Sequence, residues 1–347
     1  MEGQTDAKGG VGRGGKALLE KGGDRVVQLA CAIERSQLMV DPITFLTELY
    51  VSVDDFCKSA LEPDVRPGPA ASLSASEVVT LAVFGQWQCF GSEQGFYRYA
   101  RKHLRREFPT LPVRSQFNRL MRQHLAEIQA FSLYLGERMQ ARDVAYEAMD
   151  CTAVATRNVK RRGEGWLAGM SAIGISNRIG WYEGFKLLLS VTPLGFITGY
   201  GFSPANVREQ PMAETFLAAR AFGHPGLPTV GSPAKGTYVV DKGFDGRPNR
   251  QRWRTSYGAD VLGLPQTPAV ADRWPRAIRR WIVSLRQIVE TVNEKLLSTF
   301  RLDAERPHDL VGFQARLAAK VALHNFAIWL NRLLARHPLA FADLIDW

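Results

Sequence analysis

The chain has 347 residues, 46% of them hydrophobic, which is enough to bury a sizeable core and favours two domains, or one large domain with an added module. A formal net charge of +10 makes an acidic polymer such as nucleic acid a natural partner. No run approaches the roughly 20 apolar residues of a membrane-spanning helix, and the start lacks the apolar stretch of a secretory signal. We therefore expect a soluble, cytoplasmic protein with no membrane partner.

Glycines recur through the first two dozen residues, a composition that buries too little apolar surface to offset chain entropy. We predict that residues 1–40 form a disordered, glycine-rich extension. The four cysteines and six histidines are scattered without the spacing of a metal site, and the cysteines are too few for a disulfide scaffold. Reduced, structural thiols are expected.

Residues 41–140 have the apolar spacing of helices and are predicted to form an all-α DNA-binding domain. Ser74 followed by Glu77 has the spacing of a capping box, so one helix is expected to begin there. The other helices are predicted within 26–61, at 93–106 and from about residue 115.

The last of these helices is basic on its outer side. Arg114, Gln116, Asn118 and Arg119 are side chains of the types that contact base edges and phosphates, so we predict that they contact DNA. The alternative is an ordinary solvated face on a helical bundle, which charged helices more often are.

Beyond residue 140 the pattern changes to short strands separated by helices, which predicts an α/β domain with a mixed sheet flanked by helices over residues 141–336, followed by a tail at 337–347. A turn at Pro193, Leu194 and Gly195 is expected to join two strands as a hairpin. Strands are predicted at 144–149, 185–192, 196–202, 237–240 and 260–263, and helices at 210–222, 275–300 and 310–335.

Two aspartates, Asp150 and Asp241, each follow a short apolar run that predicts a buried strand. A carboxylate held there needs a compensating partner, and a hard cation is one. With a helical Glu they would supply oxygen ligands for two Mg²⁺ ions, the arrangement used in phosphoryl transfer. Arg286 and Glu290 lie one turn apart on a predicted helix and could complete the set, although such a pair is often only a surface salt bridge.

Four segments resemble the DDE domain of bacterial insertion-sequence transposases, in the superfamily that includes the four and five groups and closest to the nine-eight-two group. They are MDCTAVAT from Met149, GWYEGFKLLLSVTPLGFITGYGFSPANVRE from Gly180, YVVDKGFDG from Tyr238 and RQIVETVNEKL from Arg286. Two upstream segments, LYVSVDDFCK from Leu49 and SLSASEVVTLAVFG from Ser72, resemble the N-terminal helical region of that group, so the resemblance covers about residues 45–335.

This resemblance implies an RNase H-like catalytic domain whose catalytic, metal-binding carboxylates are Asp150, Asp241 and Glu290, with Arg286 as the basic residue of the last motif. It further implies two Mg²⁺ or Mn²⁺ ions, terminal inverted repeats and target DNA as substrates, and a homodimer in the synaptic complex. Cleavage and strand transfer would occur in a bacterial cytoplasm, at the nucleoid.

The chain departs from the superfamily pattern around its last motif. Val283 stands where a tyrosine precedes the arginine, and Lys295 follows Glu290 by five residues rather than seven, so Lys295 is not assigned the role of the pattern's lysine. Glu294 shares the face of Glu290 and is the alternative third carboxylate.

Further basic residues flank these motifs. Lys242, after the second aspartate, and the run Lys160, Arg161 and Arg162 are predicted to contact DNA backbone, against the equal alternative of solvated loops. By contrast, Trp274, Trp281 and Trp329 are expected in the core.

Two other functions stay open on the sequence alone: a transposase remnant that has lost catalysis and acts as a sequence-specific repressor, and a structure-specific nuclease on the same fold. All three carboxylates are present, which favours activity. The glycine-rich start is unlike the family, and Met39 is an alternative start to Met1.

Overall fold

The computed structural model describes residues 39–61, 71–141, 143–157, 167, 169–223, 234–267, 270 and 274–347. The predicted disordered extension therefore lies outside the described residues up to position 38, and so does the basic run Lys160, Arg161 and Arg162.

The described part of the chain begins with helices and continues with strands, as the sequence predicts. The helices before the sheet are α1 (Pro42–Ala60), α2 (Ala75–Phe84), α3 (Glu93–His103), α4 (Arg114–Gln123) and α5 (Leu125–Arg138). The strands are β1 (Glu147–Arg157), β2 (Ala172–Ser176), β3 (Gly180–Val191), β4 (Ile197–Pro204), β5 (Gly236–Val240) and β6 (Ala259–Gly263). The later helices are α6 (Glu209–Phe222), α7 (Arg247–Tyr257), α8 (Arg276–Glu294), which continues as a π-helical turn over Lys295–Thr299, and α9 (Leu310–Leu333).

The predicted start of α2 is confirmed. Its capping box is formed in both directions: the Glu77 amide donates to Oγ of Ser74 at 3.2 Å, and the Ser74 amide donates to Oε2 of Glu77 at 2.7 Å. These bonds satisfy amides that the first helical turn leaves without partners.

The six strands form one mixed sheet in the order β2-β3-β1-β5-β6, with β4 paired to the same edge of β3 as β2 but further along it. β1, β3 and β4 pair antiparallel, whereas β1, β5 and β6 pair parallel. The hairpin predicted around Pro193 is β3–β4, and Gly195 in its turn has a φ of 82°, a conformation that favours glycine. The mixed sheet between helices confirms the predicted α/β class and fits the RNase H-like fold.

Both faces of the centre of the sheet are buried. On one face Met149, Leu188 and Tyr238 pack with side chains of α6 and α7. On the other, Ala148, Val154 and Leu189 pack with α8, α9 and the N-terminal helices in one continuous core. The alternation of β1 therefore assigns even-numbered residues from Ala148 to Val154 to the α8 side, because successive strand side chains point to opposite faces.

The helical region and the sheet are joined through α9, which is buried along most of its length. Asn325 of α9 accepts from the Ile197 amide at 2.9 Å and donates to the Ile197 carbonyl at 3.0 Å, so it pairs with the backbone of β4. The change from helices to strands falls near residue 140 as predicted, while the hydrophobic core continues across it. Residues 337–347 also join this core through Leu339, Phe341, Leu344 and Ile345.

Several details of the sequence prediction are wrong. β1 does not end at Met149 but continues to Arg157, because residues after Asp150 keep the antiparallel pairing with β3. β2 was not predicted, since its residues form an edge strand with little buried surface. Trp281 is 54% exposed rather than in the core, because the first half of α8 buries only Ile282; Trp329, by contrast, packs against the core as predicted.

Candidate active site

The parallel pairing of β1 and β5 brings Asp150 and Asp241 to neighbouring positions. Met149 is paired with Val240, and each aspartate is the next residue along its strand direction. Asp241 follows β5 directly, as predicted, and its carbonyl accepts from the Phe244 amide at 3.1 Å in the turn that leaves the sheet. Asp150 lies within β1 on the α8 side, so both carboxylates are next to that helix.

α8 crosses the sheet at this point and contributes the other two predicted residues. Arg286 lies between the three carboxylates: its Nη1 is 3.3 Å from Oδ2 of Asp150, and its Nη2 is 3.9 Å from Oδ1 of Asp241 and 2.6 Å from Oε1 of Glu290. The helix is held there by Val289 and Val292, which are fully buried. The predicted residues Asp150, Asp241, Arg286 and Glu290 are therefore brought together in space.

Burial dominates the electrostatics of Asp150. It raises the pKa of this carboxyl from 3.8 to about 7, against the opposing effect of the Arg286 guanidinium, while the charges of Asp241 and Glu209 raise the pKa further. The side chain of Asp150 is 16% exposed, compared with 42% for Asp241 and 50% for Glu290. One cation is thus shared by three carboxylates, and the charge of Asp150, the most buried of them, is only partly neutralised.

The four residues line an open cleft of about 490 Å³. A further acid, Glu209, lines the same cleft, at the first position of α6. Burial raises its pKa, and Lys186 opposes this effect. Its carboxylate lies against the turn after Asp241, since a Cβ added to Gly243 would be 1.7 Å from Oε2 of Glu209.

Sequence reasoning did not single out Glu209 or Lys186. Both were within the segment that carried the resemblance, and an acid at the start of a predicted helix was the available signal for Glu209. Glu294 also lines the cleft, so the alternative third carboxylate lies in the same site as Glu290.

The predicted DNA-binding residues that the structure describes do not line this cleft. Lys242 is exposed on the turn directly after Asp241. Arg119 is exposed on α4 and Gln116 is half-buried. Asn118 is partly buried and bonds to Glu93, and the 51%-exposed Arg114 is 3.8 Å from the same glutamate.

Within the described ranges, no three His, Cys, Asp or Glu side chains are already arranged around a point where a metal ion could sit. The guanidinium of Arg286 takes that place between the carboxylates. The donor chemistry nevertheless fits a hard divalent cation, because the oxygens of Asp150 and Asp241 face the same cleft and the Asp150 charge lacks compensation.

Two further predictions concern the cysteines and membrane-spanning helices. The cysteines of the described residues, Cys57, Cys89 and Cys151, are free thiols, as expected. In that same part of the chain, every helix is too short or too polar to cross a membrane.

Comparison with known proteins identifies the family of the chain. The model of the transposase DDE domain matches residues 150–326, which starts at Asp150 and includes Asp241, Arg286 and Glu290. No curated protein matches the chain. A solved structure described as a pre-cleavage Mos1 transpososome is 10% identical and aligns with 78% of this chain and 82% of its own, at a TM-score of 0.21, too low to compare the two folds. The family match spans more than half of the chain, and the protein therefore belongs to the transposase DDE domain family.

Proposed function

We propose that the protein is a DNA transposase that cuts DNA at the terminal inverted repeats of an insertion sequence and joins the freed 3′ ends to target DNA. The observation that carries this proposal is the convergence of Asp150, Asp241 and Glu290 on one guanidinium in an open cleft of a DDE domain. Both steps are in-line phosphoryl transfers, so the same site serves cleavage and joining.

Asp150 and Asp241 would hold the divalent ions from neighbouring strands, and Glu290 would approach from α8. Bound Mg²⁺ or Mn²⁺, two ions in this proposal, supplies Lewis-acid stabilisation of the phosphate and a more acidic water. The sheet would fix the two aspartates. Asp150 lies within β1, which is paired on both sides, and Asp241 directly follows β5. Glu290, half-exposed on a helix, is the ligand with most freedom to adjust.

Arg286 would act as a catalytic residue that contacts the substrate phosphate. In the structure it keeps three like charges together, and its two Nη atoms contact different carboxylates. The planar guanidinium would turn from the carboxylates toward a phosphate of the substrate, which it recognises in a bidentate way. Arg286 would thus give up a contact with a carboxylate and form one with the substrate.

DNA contact would extend beyond the cleft. The net charge of +10 favours binding to the backbone. Lys242, beside the site, would contact a phosphate near the cut, and the run Lys160, Arg161 and Arg162 would contact the DNA backbone. Arg114, Gln116, Asn118 and Arg119 on α4 would contact the inverted repeat; the bond from Asn118 to Glu93 must open for a base contact, so Arg119 carries more of this proposal.

Two element ends have to be cut and joined in concert, so we infer a homodimer in the synaptic complex. Size-exclusion chromatography with light scattering, with and without end DNA, measures this directly. A single protomer on paired ends would contradict it.

The test of the function is cleavage of labelled DNA that carries the element's own ends, with Mg²⁺ or Mn²⁺ against EDTA. Wild type is compared with Asp150→Asn, Asp241→Asn and Glu290→Gln. Glu294→Gln is the matched control, since it removes a carboxylate four residues further along the same helix face and cleft. We expect metal-dependent nicking that only the first three variants lose while they keep DNA binding.

The other outcomes discriminate between the alternatives. Binding without cleavage by wild type would indicate a repressor remnant, and cleavage without joining would indicate a nuclease. Activity that survives Glu290→Gln but not Glu294→Gln would move the third carboxylate to Glu294.

A further inference from the structure

A second polar cleft, of about 530 Å³, lies between the helical region and the segment that connects α8 to α9. Its basic lining residues come from both sides: Arg114 and Arg122 from α4, Arg301 and Arg306 from the connection, and Arg316 from α9. Its acidic lining residues are Glu93, Glu305 and Asp309. The buried ammonium of Lys320 lies behind them, 2.9 Å from Glu305.

These charges do not balance. Five arginines and Lys320 face three carboxylates, which leaves an excess of three positive charges. Glu305 is already satisfied: burial raises its pKa, but Lys320 and Arg316 outweigh that effect and the pKa is lowered. Asp309 caps α9 and pairs with Arg122 at 3.0 Å, so neither acid is available to the remaining arginines.

Arg301 is the cation with least compensation. Among the described residues, its Nε and Nη1 are buried and have no hydrogen-bond partner. Its backbone has a φ of 56°, in the left-handed region that a residue with a Cβ rarely adopts. Buried guanidinium donors without hydrogen bonds are also costly, so this arrangement points to an acceptor that the described residues do not supply.

The remaining arginine of the connection, Arg306, is exposed and uses its Nη1 on backbone carbonyls, those of Asp303 at 2.9 Å and Glu305 at 2.7 Å. The same atom is 3.4 Å from the carbonyl of Ala155 on β1. Ala155 lies five residues along β1 from Asp150, so the cleft borders a point about 17 Å from the first aspartate of the candidate site.

We propose that this cleft is a phosphate-binding site, centred on Arg301 and Arg306, that holds the DNA backbone away from the cut. A DNA strand carries one phosphate per about 3.4 Å of helix axis, so 17 Å corresponds to roughly five base pairs from the scissile phosphate. A guanidinium with free donors is the group that phosphate oxygens bind in a bidentate way. This inference rests on the proposed function only in taking DNA as the ligand.

The test is the salt dependence of binding to a random-sequence duplex, followed by fluorescence anisotropy in EDTA. This experiment needs neither cleavage nor recognition of the element ends. The phosphate site can therefore be refuted while the proposed function holds, and the proposed function can be refuted while the phosphate site holds. Each phosphate contact adds about 0.9 to the slope of log affinity against log salt. We expect Arg301→Gln to lower that slope by about 0.9, so that its affinity loss between about 50 and 200 mM salt is about 3.5-fold smaller than that of wild type.

Two further variants keep the result interpretable. Arg301→Lys retains the charge and should retain most of the slope. Arg254→Gln is the matched control, an exposed arginine on α7 that pairs with Asp260, and should leave the slope unchanged. If Arg301→Gln fails to fold, Arg306→Gln makes the same test from the exposed side of the cleft.

Two results would overturn the proposal. One is a slope for Arg301→Gln and Arg306→Gln that equals the wild-type slope. The other is thermal stabilisation of wild type by inorganic phosphate that Arg301→Gln abolishes while the DNA slope stays the same, which would make the occupant a free anion instead of DNA.

Discussion

Replacing Asp150 with Asn should stabilise the metal-free protein, and by an amount that depends on pH. Burial raises the pKa of Asp150 from 3.8 to about 7, so the folded protein holds this proton through a range in which the unfolded chain has released it. The free energy of unfolding therefore falls as pH rises from about 4 to 7, and the full cost is present above pH 7. Asparagine never ionises and avoids this cost.

The size of the effect follows from the shift. Three pH units at about 1.4 kcal/mol each give roughly 4 kcal/mol above pH 7, of which about 3 kcal/mol develops between pH 5 and pH 8. The Tm of Asp150→Asn in EDTA should therefore exceed that of wild type by several degrees at about pH 8, with a much smaller difference near pH 5.

The assay is thermal unfolding of both proteins in EDTA across this pH range, with Asp343→Asn, at an exposed position, as the control. The control should show a constant Tm difference from wild type. Adding Mg²⁺ at pH 8 should raise the Tm of wild type more than that of Asp150→Asn, because the cation supplies the missing compensation. A Tm difference between wild type and Asp150→Asn that stays flat from about pH 5 to 8 would refute the reasoning.

Other substitutions test the scaffold, each by denaturant unfolding against wild type. Arg220→Met leaves the partly buried carboxylate of Glu147 without its cation, 2.9 Å away, and should cost about 3 kcal/mol; a loss under about 1 kcal/mol would contradict the pairing. Ser74→Ala removes the capping box of α2 and should cost about 1 kcal/mol, with no change expected if the cap is not formed in solution. Gly184→Ala places a Cβ 2.1 Å from the Val154 carbonyl, so β1 and β3 must separate there; a wild-type midpoint would show that the two strands do not pair this closely.

Some features were readable from the sequence because they depend on nearby residues. The capping box of α2 needs only Ser74 and Glu77, and the β3–β4 hairpin needs only its turn residues and the two apolar runs. The candidate triad was found because two aspartates follow apolar runs and because the motifs resemble a known domain. The cluster formed by Asp150, Asp241, Glu290 and Arg286 agrees with that prediction, while their catalytic roles stay a prediction.

Other features depend on what covers a residue, which periodicity does not reveal. Trp281 lies on a helix with apolar neighbours, yet among the described residues Ile282 is the only buried side chain in that half of α8. The end of β1 was placed too early because a polar Asp150 reads as the end of an apolar run. Its partner strand β3, more than thirty residues later, supplies the pairing that continues the strand.

The side-by-side placement of Asp150 and Asp241 has a consequence for folding during synthesis. The two residues are 91 positions apart, and their strands pair parallel, which is among the slowest kinds of contact to form. Glu290 follows another 49 residues later, so a growing chain carries no assembled set of acids until most of it has left the ribosome. Incomplete products would consequently lack the third carboxylate, and the cleavage proposed for this site would begin only after α8 has packed against the finished sheet.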